Sequence, residues 1–365
     1  MPQLPVVHLS GSPNERGRQH GAALSDRIAA NVALYSRRLR HDAGLSEADI
    51  AERVALYLDV FTTASPDYRA TMEGIAEASG QSLADITMLN ARFEILYSAW
   101  SNIGTTVDGE CTGYGAPAST TADGRVWIGQ NWDWFPDIKG ALVTWRDDDV
   151  TALAFTEAGI AGAKIGLNSA GIGLCVNGLG CEDDDWKRGG LPFHLRTARI
   201  LASSTLTEAI GVASLDAPSC SANFLIGSAT DGVVDVESSP IGSRRITAEA
   251  DRVLVHANHF TDADALGVVQ RFRSQPVTTF RRAQRLEELL DHTRPLTSAH
   301  IETALRDHDG EELGLCRRPV ERKPEHLRIH TAFSVLLDLA AGTLSYTDGP
   351  PCESDYSTVS LPDVV

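Results

Sequence analysis

The feature that most constrains the fold of this chain is a change of texture at Cys111. Before it the sequence reads as helix. Ser12, Pro13, Asn14 and Glu15 form a capping-box start with proline at the first helical position, and the predicted helix includes Ala22, Ile28 and Val32. A second start lies at Ser46 to Asp49. The next helix follows Ser65-Pro66, covers Met72, Ile75 and Ala76, and stops at Gly80, where a left-handed cap is easiest. Ser82 to Asp85 opens an apolar helix through Met88, Leu89, Phe93 and Leu96. Ser101 to Glu110 is small and polar with no apolar period, so a loop is expected there.

After Cys111 the chain turns to short β-rich runs with Asp123-Gly124, Asp231-Gly232 and Ala341-Gly342 at the turns. The runs are Val126 to Trp132, Leu142 to Trp145, Ala152 to Phe155, Gly171 to Val176 and Phe224 to Gly227. Val233 to Val236, Val253 to His256, Phe333 to Leu337 and Thr343 to Tyr346 continue them. Helical spacing returns over Leu201 to Ala213, Thr278 to Leu290 and Ser298 to Leu305. Helices packed outside two strand layers satisfy this order, which predicts an α+β sandwich. No repeat, low-complexity segment or long linker divides the chain. A helical segment 1–110 and a β-rich segment 111–365 are expected to form one structural domain.

Composition and missing motifs narrow the function. Hydrophobic residues at 42% and charged residues at 22% support a sizeable core. Acidic residues outnumber Lys plus Arg by 49 to 32, and the formal charge of −17 argues against a nucleic acid or an anionic membrane as partner. Met1 to Gly11 has no basic region leading into a long apolar run, and no stretch of roughly 18 apolar residues occurs, so a cytoplasmic location is expected. There is no GxSxG elbow, P-loop, HExxH or GxGxxG, which leaves a serine hydrolase, a nucleotide enzyme and a zincin unsupported. The six cysteines make no CxxC pair and the histidines show no ligand spacing, so neither a metal nor another cofactor is expected. Glu182 to Asp185 reads as a solvated acidic loop, and Trp132, Trp134 and Phe135 as either acyl pocket or core.

Cys111 stands apart from the other cysteines because it lies at a loop-to-strand junction, ahead of Thr112-Gly113-Tyr114-Gly115. A thiol with a free pKa of about 8.5 needs a base to become a nucleophile. Were the peptide bond before Cys111 cut, the new α-amino group, titrating near about 8, would supply one without any histidine.

Several segments, in order, resemble the acyl-CoA:6-aminopenicillanic-acid (isopenicillin-N) acyltransferase family, with penicillin V acylases and bile-salt hydrolases as more distant relatives. They are Gly17-Arg18-Gln19-His20-Gly21, Gly74-Ile75-Ala76, Met88-Leu89-Asn90-Ala91-Arg92 and Asp108-Gly109-Glu110-Cys111-Thr112. Gly129-Gln130-Asn131-Trp132-Asp133, Thr156 to Ile160, Asn168 to Gly171, Val255 to His259 and Cys316-Arg317 complete the set. The resemblance implies a four-layer αββα sandwich of the N-terminal-nucleophile type, self-cleavage between Glu110 and Cys111, and a Cys111 nucleophile. By the same resemblance Asp133 is the carboxylate near the nucleophile and Asn258 the oxyanion-hole residue. Asn177 matches a second asparagine at the cleft, and Arg317 an arginine paired with the carboxylate, a role for which Arg282 competes. The implied partners are a small-molecule acyl donor, amide or acyl thioester, an amine acceptor where water does not serve, and the two chains of one precursor.

Two other readings stay open at this level. Glu110 stands where the best-known member of that family has glycine, which is compatible with an uncleaved, non-catalytic relative that binds a small acylated molecule. A conventional Cys/His pair would need His256 or His259 to reach Cys111.

Overall fold

The computed structural model describes residues 4–103, 111–215, 218–249, 251–272, 278–309, 314–319 and 328–361. The first part runs β1 (Val6–His8), α1 (Pro13–Ala23), α2 (Ser25–His41), α3 (Glu47–Ala64), α4 (Pro66–Ser79), α5 (Leu83–Asn90) and α6 (Arg92–Ile103). The second begins with β2 (Thr112–Ala116), β3 (Trp127–Trp134), β4 (Gly140–Asp147), β5 (Val150–Glu157), β6 (Ile165–Asn168) and β7 (Ile172–Gly178). It continues with α7 (Phe193–Leu201), α8 (Leu206–Ala213), β8 (Ala222–Ser228), β9 (Gly232–Ser239), β10 (Gly242–Thr247) and β11 (Leu254–His256). The last elements are α9 (Ala263–Leu266), α10 (Thr279–His292), α11 (Ser298–Leu305), β12 (His330–Asp338), β13 (Thr343–Asp348) and β14 (Ser357–Ser360).

The helix starts follow the capping chemistry. Ser12, Ser46 and Ser82 each close a reciprocal box with the acidic residue three places on, and Gly80 ends α4 at φ 75°. The single helix expected beyond Ser12 is broken at Leu24, whose backbone leaves the helical region (φ −121°, ψ 18°) while its side chain enters the core. α1 then crosses α4 at near-contact of their backbones. A Cβ on Gly17 would lie 2.1 Å from Thr71 O, and one on Gly74 would lie 2.2 Å from Asn14 O, so both positions demand glycine. The run from Ser82 also divides, at Ala91, and the helix expected over Leu201 to Ala213 begins only at Leu206, where Thr205 caps α8, while α7 ends at Leu201. Helix α6 continues to Ile103, so the expected loop begins later than Ser101, and residues 104–110 lie outside the described residues.

The strands form two sheets among the described residues, ordered β1-β4-β5-β6-β7-β8-β9-β10 and β11-β2-β3-β12-β13-β14. Helices α7 and α8 pack against the first sheet, with α6 against α7, while α10 and α11 cover the second. Leu286, Leu290, Ile301 and Leu305 of these last two helices meet Tyr114, Ala116 and Leu336 in a core of their own. The layer order is therefore helix, sheet, sheet, helix: an αββα sandwich, as expected. The sheets approach closely at β2, where a Cβ on Gly115 would fall 2.2 Å from Val233 Cγ1. No described helix is long and apolar enough to cross a membrane.

The helical segment is tied into the β-rich one. β1 adds to the first sheet parallel to β4, Arg16 pairs with Asp147, and Asn31 Nδ2 donates to the carbonyls of Lys139 and Ala158. A three-residue strand such as β1 carries no periodic signal alone and has meaning only beside β4.

Candidate active site

Cys111 immediately precedes β2, which is held between β11 and β3. Its side chain is only 5% exposed, and its Sγ lies 4.0 Å from the carbonyl oxygen of Asp133. That carbonyl is the thiol's hydrogen-bond partner among the described residues. Burial first, and the neighbouring Asp133 second, push the thiol up to about 12, so it stays protonated at neutral pH.

Asp133 lies near the end of β3 and is fully buried. The register places Thr331 of β12 opposite it, beside an irregularity between Thr331 and Phe333. Thr331 Oγ1 donates to Asp133 Oδ1 at 2.7 Å, whereas Asp133 Oδ2 has no hydrogen-bond partner among the described residues. Burial pushes this carboxyl up to about 8 against the opposing pull of the Thr331 hydroxyl and the Arg282 charge. Thr331 is itself held by Arg317, whose backbone N–H donates to Thr331 Oγ1 at 2.9 Å and whose carbonyl accepts from Thr331 N at 3.0 Å.

The guanidinium that reaches Cys111 belongs to Arg282 of α10. Its Nη1 donates to the Cys111 carbonyl at 2.8 Å and to Thr112 Oγ1, and its Nη2 donates to Asn258 Oδ1 at 3.1 Å. Asn258 Nδ2 donates to the Gly178 carbonyl at 3.0 Å, and its backbone N–H donates to Thr279 Oγ1 at the start of α10. Asn177, next to Gly178, is buried and faces β2: a Cβ on Gly113 would lie 3.6 Å from Asn177 Oδ1. Residues 111 and 113 share one face of an extended chain, so Asn177 looks onto the face that carries the thiol. Asn177 Oδ1 accepts from Asn223 Nδ2 at 3.3 Å, while Asn177 Nδ2 has no partner among the described residues.

Cys111, Asp133, Asn177 and Asn258 thus converge around the start of β2. Of the two competing arginines, Arg282 makes the side-chain contacts and Arg317 joins through its main chain. Glu110 lies outside the described residues. His256 bonds to Glu237 and Ala257, and His259 to Thr279, so neither is placed as a partner for the thiol.

The site has a second buried charge cluster that the sequence reading did not assign. Glu157 receives the Arg92 guanidinium, the Lys164 ammonium and the Tyr35 hydroxyl, and Trp134 Nε1 donates to Tyr35 Oη at 2.7 Å. Burial would raise the Glu157 carboxyl, but Arg92 and Lys164 overrule it and hold the group down at about 2. Lys164 sits 3.4 Å from the centroid of Trp132 and is pulled down to about 7, mainly by burial. Charged residues embedded in apolar runs, as Glu157 is after Ala154-Phe155-Thr156, are the one sequence signal that could have exposed the cluster. Trp132, Trp134 and Phe135 are buried in the core.

One other expectation changes. Asp184, in the acidic run, is buried and accepts from Ser221 N, Ser221 Oγ and Cys181 N, so it braces a turn and is not solvated. His20 is buried and its Nε2 accepts from Gly159 N at 3.0 Å, a packing role.

The sequence profile of the acyl-coenzyme A:6-aminopenicillanic acid acyl-transferase family matches residues 119–351. The 40 kDa form of acyl-coenzyme A:6-aminopenicillanic-acid-acyltransferase from Emericella nidulans is 28% identical over 357 residues, covering 97% of this chain and 95% of that one. Among solved structures, a conjugated bile acid hydrolase from Clostridium perfringens aligns at TM-score 0.48 and 12% identity, over 69% of this chain and 93% of its own. The penicillin V acylase of Agrobacterium tumefaciens aligns at TM-score 0.45 and 11% identity, over 69% and 86%. The profile match spans well over half of the sequence, and the chain belongs to the acyl-coenzyme A:6-aminopenicillanic acid acyl-transferase family.

Proposed function

We propose that this chain is a self-processing cysteine enzyme that forms an acyl-enzyme at Cys111 and passes the acyl group of a small amide or thioester to water or an amine. The observation that carries the reading is a pair of buried polar atoms near Cys111 with no partner among the described residues, Asp133 Oδ2 and Asn177 Nδ2. A buried polar atom without a partner costs about 1–3 kcal/mol, so two of them beside one cysteine point to partners supplied by cleavage and by substrate.

In the uncut chain the thiol has no base, since burial keeps it protonated. Processing begins when the Cys111 sulfur attacks the Glu110 carbonyl, the acyl group moves from nitrogen to sulfur, and water hydrolyses the thioester. The product is a free α-amino group on Cys111, which meets Asp133 Oδ2. The amine's positive charge then favours the ionised carboxylate, and the carboxylate orients the amine toward the sulfur.

In turnover the α-amino group, in its neutral form, takes the thiol proton and the thiolate attacks the acyl carbonyl. Asn177 Nδ2 and the second N–H of Asn258 Nδ2 face the developing oxyanion, where one such donor contributes about 3 kcal/mol. Collapse expels the leaving group, which is protonated by the Cys111 ammonium when it is an amine. Water or an amine nucleophile then gives up a proton to the α-amino group and releases the acyl product. Arg282 fixes the Cys111 carbonyl and Asn258 together, so the nucleophile and one oxyanion donor move as a unit.

The test is to determine the N-terminal residue of each chain in purified protein, and to trap acyl adducts with amide and acyl-CoA probes by mass spectrometry. The expected result is two chains, the second beginning at Cys111, an adduct on that residue, and a single unreactive chain for Cys111→Ala. An intact native chain that takes no adduct would instead establish the non-catalytic binding relative.

A further inference from the structure

We propose that His308, Cys316 and Cys352 form a zinc site, separate from the Cys111 centre, with a fourth position left to water. One ligand atom from each of the three lies within 4.8 Å of the other two. The Sγ atoms of Cys316 and Cys352 are 3.4 Å apart, much longer than the ~2.05 Å of a disulfide and close to the edge of a tetrahedron drawn with Zn–S bonds of ~2.3 Å. His308 Nε2 is buried and has no hydrogen-bond partner among the described residues, so the imidazole that joins the two sulfurs keeps a ring nitrogen without a bond.

The donor set selects the metal. Two thiolates and an imidazole are soft-to-borderline ligands that suit zinc, and no carboxylate among them favours magnesium or calcium. Two thiolates cancel the charge of one divalent ion. Arg318 donates from Nε and Nη2 to Cys352 Sγ at 3.4 and 3.3 Å, the kind of outer hydrogen bonding that steadies a metal-bound thiolate. Cys316 is fully buried and anchored by its N–H on the Asp307 carbonyl, whereas Cys352 is half-buried and opens the site to solvent. The expectation of no metal rested on ligand spacing along the chain, and these three residues are brought together only by folding.

The site also has a structural neighbour in the cleft. Cys316 is bonded to Arg317, whose main chain holds Thr331, and Thr331 holds Asp133. A metal bond at Cys316 would anchor the strap behind the carboxylate.

The experiment uses the full chain, first assayed for zinc by elemental mass spectrometry as purified without chelator, then stripped and titrated with Co2+ alone. The expected results are one zinc per chain and, with cobalt, a thiolate-to-metal charge-transfer band with visible bands of tetrahedral intensity. Both persist in Cys111→Ala. Cys352→Ser and His308→Ala each weaken cobalt binding beyond the outer-shell range of ~10–100-fold, and Arg318→Ala weakens it within that range. A native chain that holds no zinc and shows no thiolate band with cobalt overturns the proposal without recourse to any variant. So does a band that survives Cys352→Ser, or peptide mapping that finds Cys316 and Cys352 joined as a disulfide.

Discussion

Asp133, beside Cys111, and Glu157, bound by Arg92 and Lys164, are both buried carboxyls, and the protein treats them in opposite ways. Glu157 is surrounded by Arg92, Lys164 and Tyr35 and is held ionised, at about 2. Asp133 has one hydroxyl and one oxygen without a partner among the described residues, and is pushed up to about 8. A carboxylate whose needs are met by its own chain is a structural tie. One left short is a place where the molecule expects another charge, and in the proposed mechanism that charge is the α-amine of Cys111.

The largest expected effect comes from Asp133→Asn, which keeps the shape and removes the charge. Turnover of processed enzyme falls by about 10²–10⁴-fold, measured as kcat with a chromogenic amide, while the fold survives. A loss under threefold would break the comparison, because Asp133 would then be as structural as Glu157. Next is Glu157→Gln, which strands Arg92 and Lys164 in the core and lowers unfolding free energy by about 3–5 kcal/mol in a urea titration at neutral pH. An unchanged midpoint would show that the cluster is no tie.

The two carboxyls also differ in the sign of their pH dependence. Glu157 titrates below its unfolded value of about 4.5, so its contribution is complete above that pH and is lost as pH falls toward about 2. Asp133 titrates above its unfolded value of about 3.8, so the folded state carries an extra proton between there and about 8 and loses stability as pH rises across that window. In an uncleavable Cys111→Ala background, Asp133→Asn therefore gains stability over its parent as pH rises from about 4 to about 8, at up to about 1.4 kcal/mol per pKa unit. A gap that narrows with rising pH would contradict the placement of Asp133. The smallest effect is that of Thr331→Val, which removes the hydroxyl that holds the carboxyl down. The acid limb of the pH–rate profile moves up by about one unit with little change at the plateau. A limb that stays in place would detach Thr331 from the site.

Local elements were legible because their causes are local. The serines at 46 and 82, the Ser65-Pro66 start and the left-handed Gly80 each act within one helical turn, and the structure places the helix ends there. The breaks at Leu24 and Ala91 were not legible, since the apolar pattern runs through both and only packing against different neighbours separates the halves. The choice between Arg317 and Arg282 had the same difficulty. Each is an arginine in a plausible context, and only the position of α10 over β2 brings Arg282 to the Cys111 carbonyl.

The sequence by itself determined the helical-then-stranded order, the sandwich with two strand layers, the isolation of Cys111 at a junction and the family to which the chain belongs. These follow from periodicity, caps, turns and ordered motifs, all of which act over short stretches of chain. Tertiary structure alone decided which buried carboxyl is satisfied, which arginine touches the Cys111 main chain, and that His308, Cys316 and Cys352 share one point in space. Those outcomes depend on strand register and on low-dielectric contacts between residues far apart in sequence, where burial decides whether a charge is held, shifted or left wanting a partner.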